Sequence, residues 1–159
     1  MTQADHSFRD RSGVETSYAW ARLAAAVMFA TVGGAGMWTM PVVLPSVQAE
    51  FGILRGSASL PFTLTMLGFA VGGVAMGWLQ DRHGIVLPAL LGVALLALGF
   101  FGASLAPGLW TFATCYMLIG VGASATFGPI MADVSFWFTA HRAIAVAIAA
   151  AGNYLAGAM

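Results

Sequence analysis

Five long stretches of this 159-residue sequence contain no Asp, Glu, Lys or Arg: residues 23–44, 57–79, 85–106, 109–132 and 143–159. The first four hold 22, 23, 22 and 24 residues and the fifth holds 17. A helix of about 20 residues crosses the roughly 30 Å hydrocarbon core of a bilayer, so each of the first four can span it with some tilt. Only helices and closed barrels satisfy every backbone group inside lipid, and runs this long lack the alternating ten-residue pattern of a barrel. The sequence therefore predicts an all-α polytopic membrane protein with four complete transmembrane helices and a truncated fifth.

Composition removes the soluble alternative. Hydrophobic residues make up 60% of the chain and charged residues 8%, against roughly 45–50% and about 25% in soluble domains. Six arginines and six acids cannot supply a charged shell for so much apolar surface. The first stretch follows a polar tail and far exceeds the usual h-region of about 7–15 residues, so it reads as a retained span rather than a secretory signal. A formal net charge of zero argues against nucleic acid as a partner, and the lone Cys115 excludes a disulfide scaffold. Membrane lipid is the partner implied for most of the surface.

The arginines assign the two sides. Arg9, Arg11, Arg22, Arg82 and Arg142 flank one end of the spans and Arg55 alone flanks the other. The positive-inside rule places the N-terminus in the cytoplasm, predicting a multi-pass protein of the cytoplasmic or inner cell membrane. Residues 1–18 are read as a cytoplasmic tail and 19–159 as a partial transmembrane domain. The links at 80–84 and 133–142 face inward, and those at 45–56 and 107–108 face outward. Links this short make sequence neighbours antiparallel hairpins.

In lipid, helices associate mainly by close approach through small residues. Gly68 and Gly72, Gly73 and Gly77, and the row Gly120, Ser124 and Gly128 recur every four residues, each set on one helical face. Such rows serve bundle packing, and they also allow helices to slide. Pro41, Pro61 and Pro129 fall within spans or near their ends, where each removes a backbone donor.

The inner link reads Gly77-Trp78-Leu79-Gln80-Asp81-Arg82-His83-Gly84. Gly77 and Gly84 allow a tight reversal, Asp81 can cap the next helix, and Arg82 lies at headgroup level. The string resembles the G-x-L-a-D-r-x-G signature between the second and third helices of the major facilitator superfamily. A second segment, Trp137-Phe138, Arg142, Ala145 and Gly152, is similar to the W-F-x-x-x-R-x-x-A-x-x-x-x-x-x-G pattern of its monocarboxylate-transporter and oxalate/formate-antiporter branch. Leu44-Pro45, Val47 and Glu50-Phe51-Gly52 resemble the segment after the first helix.

The resemblance implies a secondary transporter of twelve helices in two halves that rock around a central site. It also implies a small-molecule substrate, with an organic anion as the first expectation, and a C-terminal half absent from this sequence, without which transport is not expected. In that family the loop contacts the other half and stabilises the outward-facing state, a role that carries over to Asp81 and Arg82. Ile85 and Val86 stand where the signature continues with basic residues. Tyr116, four residues before Gly120-Val121-Gly122, stands where proton-coupled drug exporters carry arginine, which disfavours drug/proton antiport.

Helices one and four line the cavity in the family. Trp38, Tyr116 and Asn153 are the candidate solute contacts among the polar groups at depth, alongside Thr31, Thr39, Ser124, Thr126 and Tyr154. The structural reading of the same groups is interhelical bonding and packing. Asp81, His83, Asp133, Ser135 and His141 collect on the inner face, but H-E-x-x-H, paired-cysteine and G-x-S-x-G patterns are missing. They are read as solvated loop residues, and neither an enzyme, a metal site nor a cofactor is expected. The competing function is a self-contained oligomeric membrane-helix module.

Overall fold

The computed structural model describes residues 17–52, 55–139 and 141–158, which fold into helices joined by short links. Arg9 and Arg11 lie outside the described residues, as does the side chain of Arg55. Helix α1 is Ser17–Phe51, α2 Leu60–His83, α3 Val86–Ser104, α4 Leu109–Ala125, α5 Gly128–Trp137 and α6 Arg142–Ala158. A single helical turn, Arg55–Ala58, precedes α2. Helices α1, α2 and α3 and the combined unit Leu109–Trp137 are each long and apolar enough to cross a membrane, whereas the 17-residue α6 is shorter.

Helix α1 extends past its apolar stretch at both ends. Its 35 residues rise about 52 Å, well beyond the hydrocarbon thickness. The segment from Pro45, read above as an outer link, stays helical through both Pro41 and Pro45 as far as Phe51. Tertiary contacts hold it there: Val47 is buried in a cluster with Met40 and Tyr116, and the Phe51 ring lies 6.0 Å from that of Phe112. Gly52, at φ 60°, then ends the helix.

Helix α2 begins with Pro61 in its first turn, where a fixed φ and a missing N–H cost nothing. It runs through Asp81 and Arg82 to His83, so Asp81 does not cap the next helix. The residue preceding α3 is Ile85, with no side-chain cap bond. Gly77 is likewise interior to α2, and the reversal falls to Gly84 alone, at φ 74°, whose N–H bonds the Gln80 carbonyl at 2.8 Å. That backbone region is nearly confined to glycine. Gly84→Ala is expected to cost about 1–3 kcal/mol in unfolding titrations in mixed detergent micelles. Gly73→Ala, inside α2 with nothing within 4 Å, is expected to be neutral or to stabilise by up to about 1 kcal/mol.

Glycines place the helices. Helix α4 is the centre of contact, packed against α2 on one side and α3 on the other, while α1 pairs chiefly with α6. At the α2–α4 contact, a Cβ on Gly68 would strike the Met117 carbonyl, one on Gly120 the Thr65 carbonyl, and one on Gly72 would lie 2.5 Å from Ser124 Oγ. At α3–α4, a Cβ on Gly92 would lie 2.6 Å from that of Ala125, and one on Gly122 2.7 Å from the Gly92 oxygen. At α1–α6, Gly34 abuts the Asn153 carbonyl and a Cβ on Gly152 would lie 2.7 Å from the Val27 oxygen. Gly73, Gly77 and Gly128 meet nothing within 4 Å. The sequence rows therefore divide: Gly68, Gly72, Gly120 and Ser124 pack the bundle, and the other three leave their faces open.

The fourth apolar stretch is interrupted. Thr126 N–H bonds Ala123 O at 3.1 Å and Phe127 N–H bonds Ser124 O at 3.2 Å, a tightened i→i−3 turn, and Pro129 then supplies no donor. The break coincides with a change of packing partners. Before it, Tyr116, Ile119 and Ala123 belong to a cluster with Met40, Val47 and Leu96. After it, Ile130, Val134 and Phe138 join Ala19, Leu23, Ala26, Ala145 and Ala149.

Candidate functional site

Two of the three candidate solute contacts meet. Trp38 on α1 donates from Nε1 to Asn153 Oδ1 on α6 at 3.3 Å, and its ring centroid lies 6.1 Å from that of Tyr154. Gly157 makes room for the indole, since a Cβ there would stand 3.1 Å from Trp38 Cγ. Asn153 is 5% exposed, and its Nδ2 has no hydrogen-bond partner among the described residues. An unpaired buried amide N–H costs about 1–3 kcal/mol, so this donor is the outstanding polar group of the bundle.

Tyr116 lies elsewhere, buried in the cluster around Met40 and Ile119, with its ring 4.7 Å from Phe112. Its hydroxyl makes no hydrogen bond among the described residues. The remaining hydroxyls at depth are turned onto their own helices. Thr31 donates to Val27 O, Thr39 to Ala35 O, Ser124 to Val121 O and Thr126 to Ala123 O. Their donor capacity is spent locally, which separates them from Asn153 and Tyr116.

The last turn of α2 and the Gly84 reversal are exposed from Asp81 to Gly84. The Arg82 guanidinium lies 4.3 Å above the Trp78 ring, and Asp81 forms no hydrogen bond or ion pair among the described residues. Gln80 beside it donates from Nε2 to the Pro129 carbonyl at 3.1 Å, tying the end of α2 to α5. In the second motif, Phe138, Ala145 and Gly152 recur every seven residues. All three are buried: Phe138 meets Trp20 edge to face at 5.2 Å, and Gly152 abuts Val27. Arg142 is exposed.

One arrangement was not foreseen. Asp133, assigned above to a solvated link, stands on α5 and accepts two hydrogen bonds of 2.8 Å from Arg22 Nη2, one on each carboxylate oxygen. Trp137 lies under the guanidinium at 4.8 Å and Tyr18 beside it at 5.8 Å. The only sequence signal for this pair was that spans one and four present opposite charges at the same end. Among the described residues no three of His, Cys, Asp and Glu come together.

Membrane-length apolar helices joined by glycine contacts, with a few polar groups between them, define the class: a multi-pass α-helical membrane protein. The model of the Major Facilitator Superfamily matches residues 23–159, and the chain belongs to that family. It is 35% identical over 79 residues, 48% of this chain and 17% of the relative, to a glucose transport protein of Synechocystis. It is 34% identical over 71 residues, 43% of this chain and 17% of the relative, to a cis,cis-muconate transport protein of Acinetobacter baylyi. A Didymella fabae protein described as an ascochitine biosynthesis cluster MFS transporter is 28% identical over 113 residues, 69% of this chain and 22% of the relative. The chain spans about a third or less of the length of such relatives; in a Haemophilus influenzae relative the figure is 34%.

Proposed function

We propose that this chain belongs to a secondary transporter that moves a small solute across a membrane by alternating access, and that Trp38, Asn153 and Tyr116 contact the solute. The match to the superfamily over residues 23–159 carries the transport reading. The unpaired Asn153 Nδ2 supports the site, because a donor held between helices without a protein acceptor is available to an oxygen of a solute or bridging water. The neutral donors here suit oxygen acceptors, which carboxylates and sugar hydroxyls both offer. Glucose and cis,cis-muconate appear in the names of two relatives. If the solute is an organic anion, its carboxylate needs a cation, and the four uncharged apolar stretches supply none.

The arginine bias supports a cytoplasmic N-terminus, with Asp81 and Arg82 on the same side and free to engage a partner half. The test is uptake into proteoliposomes by the intact transporter that carries this chain, screening radiolabelled solutes that include glucose and cis,cis-muconate. Asn153→Ala and Tyr116→Phe are each expected to weaken the apparent affinity for the accepted solute about 3- to 10-fold, the worth of one hydrogen bond. Unchanged affinity in both variants removes these residues from the site, and absence of uptake across the screen counts against the transport reading itself.

A further inference from the structure

We propose that α5 is a hinged arm that swings about Thr126–Phe127 and is latched to α1 by the Arg22–Asp133 pair. This goes beyond the transport reading and does not depend on it. At the hinge the α-helical ladder gives way to two i→i−3 bonds, Pro129 donates nothing, and α5 starts with no side-chain cap bond. On the near side of the hinge the helix packs with α1 and α3 through Ile119 and Ala123; on the far side Ile130, Val134 and Phe138 pack with the start of α1 and with α6. An arm whose apolar partners differ from those of its own parent helix can pivot without disturbing the parent.

The latch has the features of a specific clasp. Its two 2.8 Å hydrogen bonds run between side chains 111 residues apart, and the Trp137 ring holds the guanidinium from below. Both partners are partly exposed, 29% and 21%, so the pair opens at less cost than a fully buried one. Ile130 and Asp133 also wall one end of an apolar groove of about 710 Å³ between α1 and α3. Release of the arm widens that groove.

The test is thiol labelling of the purified protein in detergent micelles with N-ethylmaleimide, using Val134→Cys as reporter, because Val134 is buried where the arm docks against α1 and α6. Cys115, on the parent helix, is the internal control. Arg22→Gln is expected to speed labelling of the Val134→Cys thiol about tenfold, and Asp133→Asn, which keeps the side-chain shape, to do the same, with Cys115 unchanged within about twofold. The charge swap Arg22→Asp with Asp133→Arg is expected to return the rate to within about threefold of the latched starting value seen with Val134→Cys alone. Gly128→Ala, whose Cβ meets nothing within 4 Å and which stiffens the hinge, is expected to hold the Arg22→Gln increase below about twofold. An Arg22→Gln rate equal to the parent overturns the latch. An equal rise at Cys115 overturns the arm, since the bundle is then loosening as a whole, and a tenfold rise that survives Gly128→Ala overturns the hinge.

Discussion

Gly120→Ala is expected to destabilise the bundle by about 3 kcal/mol, toward the upper end of what overpacking one methyl group costs. The new Cβ would run into the Thr65 carbonyl, 2.9 Å from its carbon and 3.0 Å from the Phe69 nitrogen. All of these are backbone atoms of α2, which cannot rotate aside as a side chain can. Relief requires α2 and α4 to move apart along their most extensive contact, forfeiting packing at Gly68 and Gly72 as well. Gly68→Ala strikes the Met117 carbonyl from the other helix and is expected to act similarly. Because either substitution opens the same seam, the double variant is expected to cost clearly less than the sum of the two. Gly77→Ala, on the open face of α2, is the matched control and is expected to be neutral. Unfolding by SDS titration of micellar protein measures all four, and a Gly120→Ala midpoint indistinguishable from that of Gly77→Ala contradicts the glycine seam.

Asp133→Ala is the second large effect, expected at about 2 kcal/mol. The substitution leaves the Arg22 guanidinium with two unmet hydrogen bonds against Trp137, in surroundings only partly open to water. Removing one member of a fully buried pair costs about 3–5 kcal/mol, and partial exposure here reduces that. Replacing both partners, Arg22→Met with Asp133→Ala, removes the stranded charge while keeping an apolar stem over the ring, and is expected to cost less than Asp133→Ala alone. The same titration decides it: a double variant less stable than the single one means that the pair contributes attraction beyond mutual neutralisation.

Much of the fold was written locally. The absence of charge over four long stretches left no structure but membrane helices, and Gly84 was legible as a reversal because its neighbours in sequence are also its neighbours in space. Trp38 and Asn153 were legible as polar groups at depth, whereas their hydrogen bond, 115 residues apart, was not. Asp133 was misplaced for the same reason. One residue beyond an apolar run it looks like a loop residue, and only the position of Arg22 on a different helix makes it half of a clasp.

What the sequence could determine alone is which segments enter the membrane and where the polar and small residues stand along them. Which face of each helix turns inward was decided only by tertiary structure. Val74 is 78% exposed and Met40 is 0% exposed, though both are apolar and both lie in spanning helices. In water that difference would be enforced by the solvent and would show as an amphipathic pattern. Lipid tails are as apolar as the bundle interior, so the choice passes to close contact between particular backbones at Gly68, Gly120 and Gly152.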